Sequence, residues 1–410
     1  MTTYEAIAAL IRTALFQAPL DLPEDLDWEP VFQEIQNQSI CVLMMDLLPK
    51  LALPEDIKQK WTMFAYKQTR HYYVLLDVER ELTELLRANG IGFVILKGTA
   101  VAVYYPKPGC RTMGDIDFIV RPEQFEEARS ILQNGGFEAS GKNDARHVTF
   151  DRRHVHVELH RRFTSVSKQK KYDALDDAVM DGISHCCWTE LEKTTFPMLP
   201  EPTNGLVLLE HIRHHLVSGL GLRQILDWIV YVDRQVDDAS WYSAFQEPAR
   251  ALDLETLAKV VARMGQLYFG LREDITWCAD AEEELCSSLL QLLIKSGNFG
   301  KNDIQSSKTE TVLQHSQTVP QLFRNLQKAG CHNWKALKKH KWLRPFAWFY
   351  QIFRYGRQGF SRKAPLKALR RDLSSSRYRA EVLQKLGVTP AANGVAKSEI
   401  QRQYDYDSKK

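Results

Sequence analysis

The chain has 410 residues, 44% of them hydrophobic and 26% charged, with a formal net charge of +3. This length and balance suit two or three globular domains with a sizeable core and exclude a fibrous or disordered chain. No run of about 18 apolar residues occurs, which excludes a membrane-spanning helix. The seven cysteines, odd in number and without a CxxC pair, read as reduced thiols of a cytoplasmic protein rather than a disulfide framework.

Residues 1–88 carry apolar side chains at helical spacing, first in YEAIAALIRTALF and again in YYVLLDVERELTELLRANG. The opening segment lacks a basic n-region and carries Glu5, so it reads as an amphipathic helix and not a signal peptide. The second helix is expected to stop at Gly90, behind Ala88 and Asn89. The texture then changes to alternating strand and helix over residues 91–163. IGFVIL (91–96) is a strand, AVAVYY a short helix, DIDFIV (115–120) a second strand, and PEQFEEARSILQNGG (122–136) a helix with Pro in its first turn. HVTFDR (147–152) and HVHVELHRRF (154–163) follow as further strands. From about residue 175 helical texture returns, clearest in GLVLLEHIRHHLVSGLGLRQILDWIVYVDR, and continues to 300. Residues 301–320 read as a polar linker and 389–410 as a flexible tail.

Aspartate is a poor strand former, yet Asp115 and Asp117 open a β-branched apolar run. Side chains alternate along a strand, so the two carboxylates point the same way, about 7 Å apart. Their repulsion makes sense if a divalent cation sits between them. Mg²⁺ takes a few carboxylates, water and substrate phosphates. In HVHVELH, Val155, Val157 and Leu159 share one face and His154, His156, Glu158 and His160 the other. Glu158 is thus a third carboxylate on a polar strand face. Three such groups on adjacent strands can build a two-metal site for in-line displacement at phosphorus. Upstream, ILKGTA ends a strand at Lys97, permits an unusual backbone at Gly98 and opens a helix at Thr99, where backbone N–H groups can hold phosphate beside the Lys97 cation. It is not a Walker loop, because the order is Lys-Gly-Thr and position 93 is Phe.

This order of strand, Gly-Thr, gap, D-h-D-h and later strand carboxylate resembles the DNA polymerase β-like nucleotidyltransferase superfamily. LKGTAVAVYYP, R-x-x-x-DIDFIV, FEEARSILQNGGFE, the v-x-v-E-L-H strand and EHIRHH…LRQILDWIVYV are similar, more narrowly, to the bacterial uncharacterised nucleotidyltransferase family, over residues 75–235. With the texture of the chain this predicts an α+β fold, with a small mixed β-sheet nucleotidyltransferase core (89–165) flanked by an N-terminal helical segment (1–88) and a C-terminal helical domain (166–300), then a basic, aromatic-rich region (301–388). The resemblance implies transfer of an NMP group from an NTP, ATP among them, to an acceptor hydroxyl or phosphate of a small molecule, glycan precursor or peptide. Asp115 and Asp117 would bind Mg²⁺, with Mn²⁺ an alternative, and Glu158 would be the third metal carboxylate and a base. Gly98 and Thr99 would hold the triphosphate, Lys97 and Arg111 would contact phosphate, and His214 or Asp227 would line the pocket. His147 and His160 are candidates for a place near the nucleotide or acceptor.

Other chemistries stay open on the residues alone. His156, Glu158 and His160 could ligate zinc from one strand face, as in a zinc-dependent hydrolase. His211 and His215 have zinc spacing on a helix, but Ile212 stands where HExxH needs Glu. A non-catalytic nucleotide-binding protein of the same fold is a further alternative. Residues 311–371 contain fourteen Lys or Arg and no Asp or Glu, interleaved with Trp, Phe and Tyr. Such a stretch suits an anionic membrane surface, nucleic acid, or an acidic surface elsewhere on the chain. Its membrane reading would make a cytoplasmic enzyme peripheral at the inner membrane face.

Overall fold

The computed structural model describes residues 1–140, 147–164, 170–216, 220–296, 319–338, 340–359 and 378–388. The expected tail at 389–410 and the expected linker up to residue 318 lie outside them, while 319 and 320 already belong to a helix. Two compact units divide the chain, one within residues 1–299 and one within 300–395.

The first unit is α+β, with helices around a single seven-stranded mixed sheet. Helix α1 (Thr3–Phe16) starts in a reciprocal cap, with Thr2 accepting from the Glu5 N–H and Glu5 accepting from the Thr2 N–H. Helix α2 (Trp28–Asn37) follows, and α3 (Glu55–Ala88) runs for 34 residues behind Pro54. As expected, α3 stops just before Gly90, which takes a left-handed φ of +70°. Strand β1 (Phe93–Leu96) leads into the five-residue helix α4 (Gly98–Ala102), then β2 (Asp115–Val120) and helix α5 (Phe125–Asn134). Strands β3 (Glu138–Ser140), β4 (His147–Arg152) and β5 (Val155–His160) complete the stretch where strands were expected.

The sheet does not end there. After helix α6 (Lys170–Ser184), β6 (Cys187–Leu191) and β7 (Thr194–Met198) form a hairpin, and β7 runs parallel beside β1. The strand order is β3-β4-β5-β2-β1-β7-β6. This corrects the expectation of helix alone after residue 175. The hairpin escaped notice because Glu192 takes the left-handed turn position, φ +54°, without the Gly or Asn that signals such turns. Helices α7 (Thr203–Leu216) and α8 (Leu222–Gln235) come next.

The two sheet faces differ as strand alternation requires. On one, Ile95, Ile116, Phe118, Val157, Leu159 and Phe150 pack with Leu75, Val78, Leu82 and Leu86 of α3 and with Phe125, Ala128 and Leu132 of α5. The α3 residues recur every three to four positions, the stripe an amphipathic helix offers a sheet. Burying each such side chain contributes roughly 1.5–3 kcal/mol. This packing fixes the register of β2 and β5, so their alternate residues, Asp115, Asp117, Glu158 and His160, share the opposite face.

In the second unit, the helices Val319–Asn333 and Ala347–Gly359 pack against each other, and a short helix spans 378–385. Gly330 is required at the crossing, because a Cβ there would lie 1.7 Å from the Ala347 carbonyl oxygen.

Candidate active site

Strands β2 and β5 run parallel with Asp117 directly opposite Glu158 and Asp115 opposite His156. Strand β4 adds His147 opposite His160. One sheet face therefore gathers the three expected carboxylates with His147 and His160. Asp115 sits at the exposed start of β2, whereas Asp117 is only 6% exposed.

Two cations hold Asp117. The Lys97 Nζ lies 3.0 Å from its Oδ2, and the His160 Nε2–H donates to its Oδ1 at 2.9 Å. The same His160 nitrogen is 3.5 Å from Glu158 Oε2, and His147 Nε2 is 3.9 Å from that oxygen. The electrostatics follow. Burial pushes the Asp117 pKa up, but the Lys97 charge and the His160 bond hold it well below the usual carboxylate range. Burial pushes Glu158 up as well, and the bond with His160 carries it below its ordinary value. Burial pulls His160 down, yet its two carboxylate partners push it up to about 9, so it is an imidazolium at neutral pH. Asp115 keeps solvent at the strand start, yet the packing around its carboxyl and then the charges of Asp117 and Glu158 raise it to about 6. One carboxylate of the three thus lacks enough positive charge.

The donor chemistry fits a bound cation. Side-chain atoms of Asp117, Glu158 and His160 lie within 4.8 Å of one another, and with His160 protonated the two carboxylates are the donors of this group. The carboxylate oxygens suit a hard ion such as Mg²⁺ or Mn²⁺. Lys97 and His160 stand on the oxygens that such an ion would take. His160, a candidate for a place near the nucleotide or acceptor, stands among these carboxylates. The zinc set on β5 alone is not assembled, because His156 turns to Asp151 across the strand pair.

Lys97 has φ +56° and ψ −136°, outside the regions open to side-chain-bearing residues, and Gly98 follows with φ +40°. Strain of this kind costs about 1–3 kcal/mol and persists where the surroundings enforce it, often at functional sites. It turns the Lys97 ammonium to Asp117.

The Thr99 hydroxyl points elsewhere. It is fully buried and donates to both carboxylate oxygens of Glu79 on α3, each at 2.9 Å. The Thr99 side chain is thus committed to α3 and not to the carboxylates of the site. Burial raises Glu79 to about 8 from an ordinary value near 4.5. Between those values the folded chain keeps a proton that the unfolded chain has released, so stability falls as pH rises through the window. Glu79→Gln removes that dependence. Its stability relative to wild type is expected to grow from pH 4.5 to pH 8 by a few kcal/mol, at about 1.4 kcal/mol per unit of pKa shift, and to level off above. Parallel pH–stability curves from urea denaturation at several pH values would remove the assignment.

Arg111 and Asp227 are brought to each other rather than to the carboxylates. The Arg111 Nε and Nη2 donate to the two oxygens of Asp227 at 2.7 Å each, and the Tyr105 hydroxyl adds a bond at 2.8 Å. Both charged residues are buried. His214 meets His215, with ring centroids 5.3 Å apart, and His215 also meets His211 at 4.4 Å.

Sequence reasoning missed Arg223, on α8. Its Nη1 donates to the Thr112 carbonyl at 2.9 Å, three residues before Asp115. Burial and then the Arg111 charge lower its pKa, while Asp227 and Asp115 raise it. The signal was an arginine next to apolar residues in GLRQILDWIV, passed over as part of a helix face. His211 lies within electrostatic reach of Lys97 and Arg223, and burial holds it well below its ordinary pKa.

The fold and the acidic strand pair beside a strained Lys-Gly turn define a mixed-sheet protein with a polar, cation-seeking face. Comparison with known protein families matches residues 24–270 to the uncharacterised nucleotidyltransferase family, and the chain belongs to that family. Its general role is accordingly nucleotidyl transfer. No curated protein matches the chain.

Proposed function

We propose that the chain transfers an NMP group from an NTP to an acceptor hydroxyl or phosphate, with Mg²⁺ held by Asp115, Asp117 and Glu158. The observation that carries this reading is the parallel pairing that sets Asp117 against Glu158, with Asp115 on the same face, under-neutralised. The bound ion would supply charge neutralisation at the phosphates and at the attacking oxygen. The acceptor oxygen forms a bond to the α-phosphorus, the bond from that phosphorus to the bridging oxygen breaks, and pyrophosphate leaves. Glu158, ionised at neutral pH, accepts the proton of an acceptor hydroxyl. Lys97, now paired with Asp117, would trade it for a phosphate oxygen, and Arg223 would offer a second cation beside Asp115. The backbone of Gly98 and Thr99 lies at the same turn and supports a phosphate-holding role.

The test is thermal melting with ATP, GTP, CTP and UTP, each with and without Mg²⁺, followed by a pyrophosphate-release assay with hydroxyl and phosphate acceptors. Ligand at about 100 times its Kd stabilises by roughly 2.7 kcal/mol, a readily visible shift. A Mg²⁺-dependent shift with pyrophosphate release is expected. A shift without release across the acceptors would mark a binding protein of the same fold, and stoichiometric zinc surviving dialysis would favour a hydrolase.

A further inference from the structure

The helix Ala347–Gly359 has two opposed faces with different fates. Its inner face is fully used. Ala347 and Gln351, one turn apart, are buried against the helix Val319–Asn333, and Asn333 donates to Gln351 at 3.1 Å. Trp334 stacks on Tyr350 at 4.8 Å, and Phe323 meets Trp348 at 5.2 Å. Among the described residues the outer face has no such cover. Phe349, Ile352 and Phe353 are 60%, 45% and 64% exposed, and just before the helix Phe346 and Trp342 are 55% and 71% exposed. Phe346, Phe349 and Phe353 fall at helical spacing on one stripe. An exposed stripe of large rings this size marks an interaction surface rather than an ordinary solvated face.

Charge chooses the partner. Residues 311–371 contain fourteen Lys or Arg and no Asp or Glu, and among the described side chains Arg324, Lys328 and Arg344 are exposed. We infer that this face is a docking surface for an anionic lipid bilayer, with the helix lying in the interface, Phe346, Phe349, Ile352 and Phe353 entering the acyl boundary and the basic side chains meeting lipid phosphates. A single apolar stripe within a basic stretch that carries no Asp or Glu is the pattern of interfacial helices. No helix of the described residues is long and apolar enough to cross a membrane, so the contact lies on the bilayer. Nucleic acid fits less well, because Ile352 in the stripe has no ring on which a base can stack.

The full chain is tested by cosedimentation with vesicles of phosphatidylcholine alone and with about 30% phosphatidylglycerol. Expected is binding to the anionic vesicles only, weakened by salt. The triple substitution Phe346→Ser, Phe349→Ser, Phe353→Ser should weaken it about tenfold or more. The same positions changed to Leu should bind as wild type, which separates lost apolarity from lost folding. Arg324→Glu with Lys328→Glu should also weaken binding. No binding to anionic vesicles at low salt, or binding unchanged by the Ser substitutions, overturns the inference. So does tighter binding to single-stranded RNA that is lost in the same triple variant.

Discussion

Replacing Asp117 by Asn is expected to lower nucleotidyl transfer by about a thousandfold or more, because in the proposed mechanism several kcal/mol of charge stabilisation would depend on this carboxylate and each 1.36 kcal/mol is tenfold in rate. Asp117 is the one carboxylate of the site that touches both cations, Lys97 and His160. The change keeps the shape of the side chain and removes its charge. Lys97 and His160 then lose an anion they share, and a buried cation without a partner is costly. A second readout therefore accompanies the rate. The melting temperature without nucleotide is expected to fall, and the Mg²⁺-dependent gain on adding NTP is expected to vanish. A variant that keeps near-wild-type pyrophosphate release would remove Asp117 from the chemistry, and attention would move to Asp115.

Asp227→Asn is expected to cost about 3–5 kcal/mol of stability, the usual result of breaking a buried ion pair from one side. The carboxylate receives two Arg111 bonds and one from Tyr105, and Arg223 lies close enough to feel its charge. Without it, the buried Arg111 guanidinium loses the carboxylate it is bonded to and faces the charge of the partly buried Arg223. The melting temperature should drop by roughly 10 °C. If Asp227 instead served the acceptor from an open pocket wall, the same change would leave the denaturation midpoint unchanged and raise KM. Arg111→Met, which removes the cation and keeps much of the side chain's bulk, should destabilise less than Asp227→Asn, because it leaves Arg223 as a remaining partner for the carboxylate.

Much of the site was legible because strand periodicity is local. IGFVIL, DIDFIV and HVHVELH each carry their face assignment in their own letters, and the observed register puts Asp117 and Glu158 side by side as that assignment requires. What was not legible depends on long separations. Arg111 and Asp227 stand 116 positions apart, and each on its own reads as a free polar group. Thr99 reads in the sequence as the opening of a phosphate-holding helix, but the partner that claims its hydroxyl is Glu79, on a helix that begins at residue 55. His160 became a partner of Asp117 only through the parallel β2–β5 pairing, whose orientation no single segment encodes. The β6–β7 hairpin was missed for a chemical reason, since its turn uses Glu192 where glycine usually announces one.

The central position of β1 has a consequence for how the molecule can be divided. The strand carrying Lys97 at its end has β2 on one side and β7 on the other, is backed by α3, and its following turn is anchored through Thr99 to Glu79. A fragment limited to residues 91–163 would contain every carboxylate of the site and still lack the helix beneath it, the strand beside it and the Asp227 that holds Arg111. Such a piece would expose the apolar sheet face to water and leave β1 as an open edge, ready to pair with another copy. The acidic strands are therefore not a part that would stand alone; the folding unit is the sheet together with the helices on both of its sequence flanks.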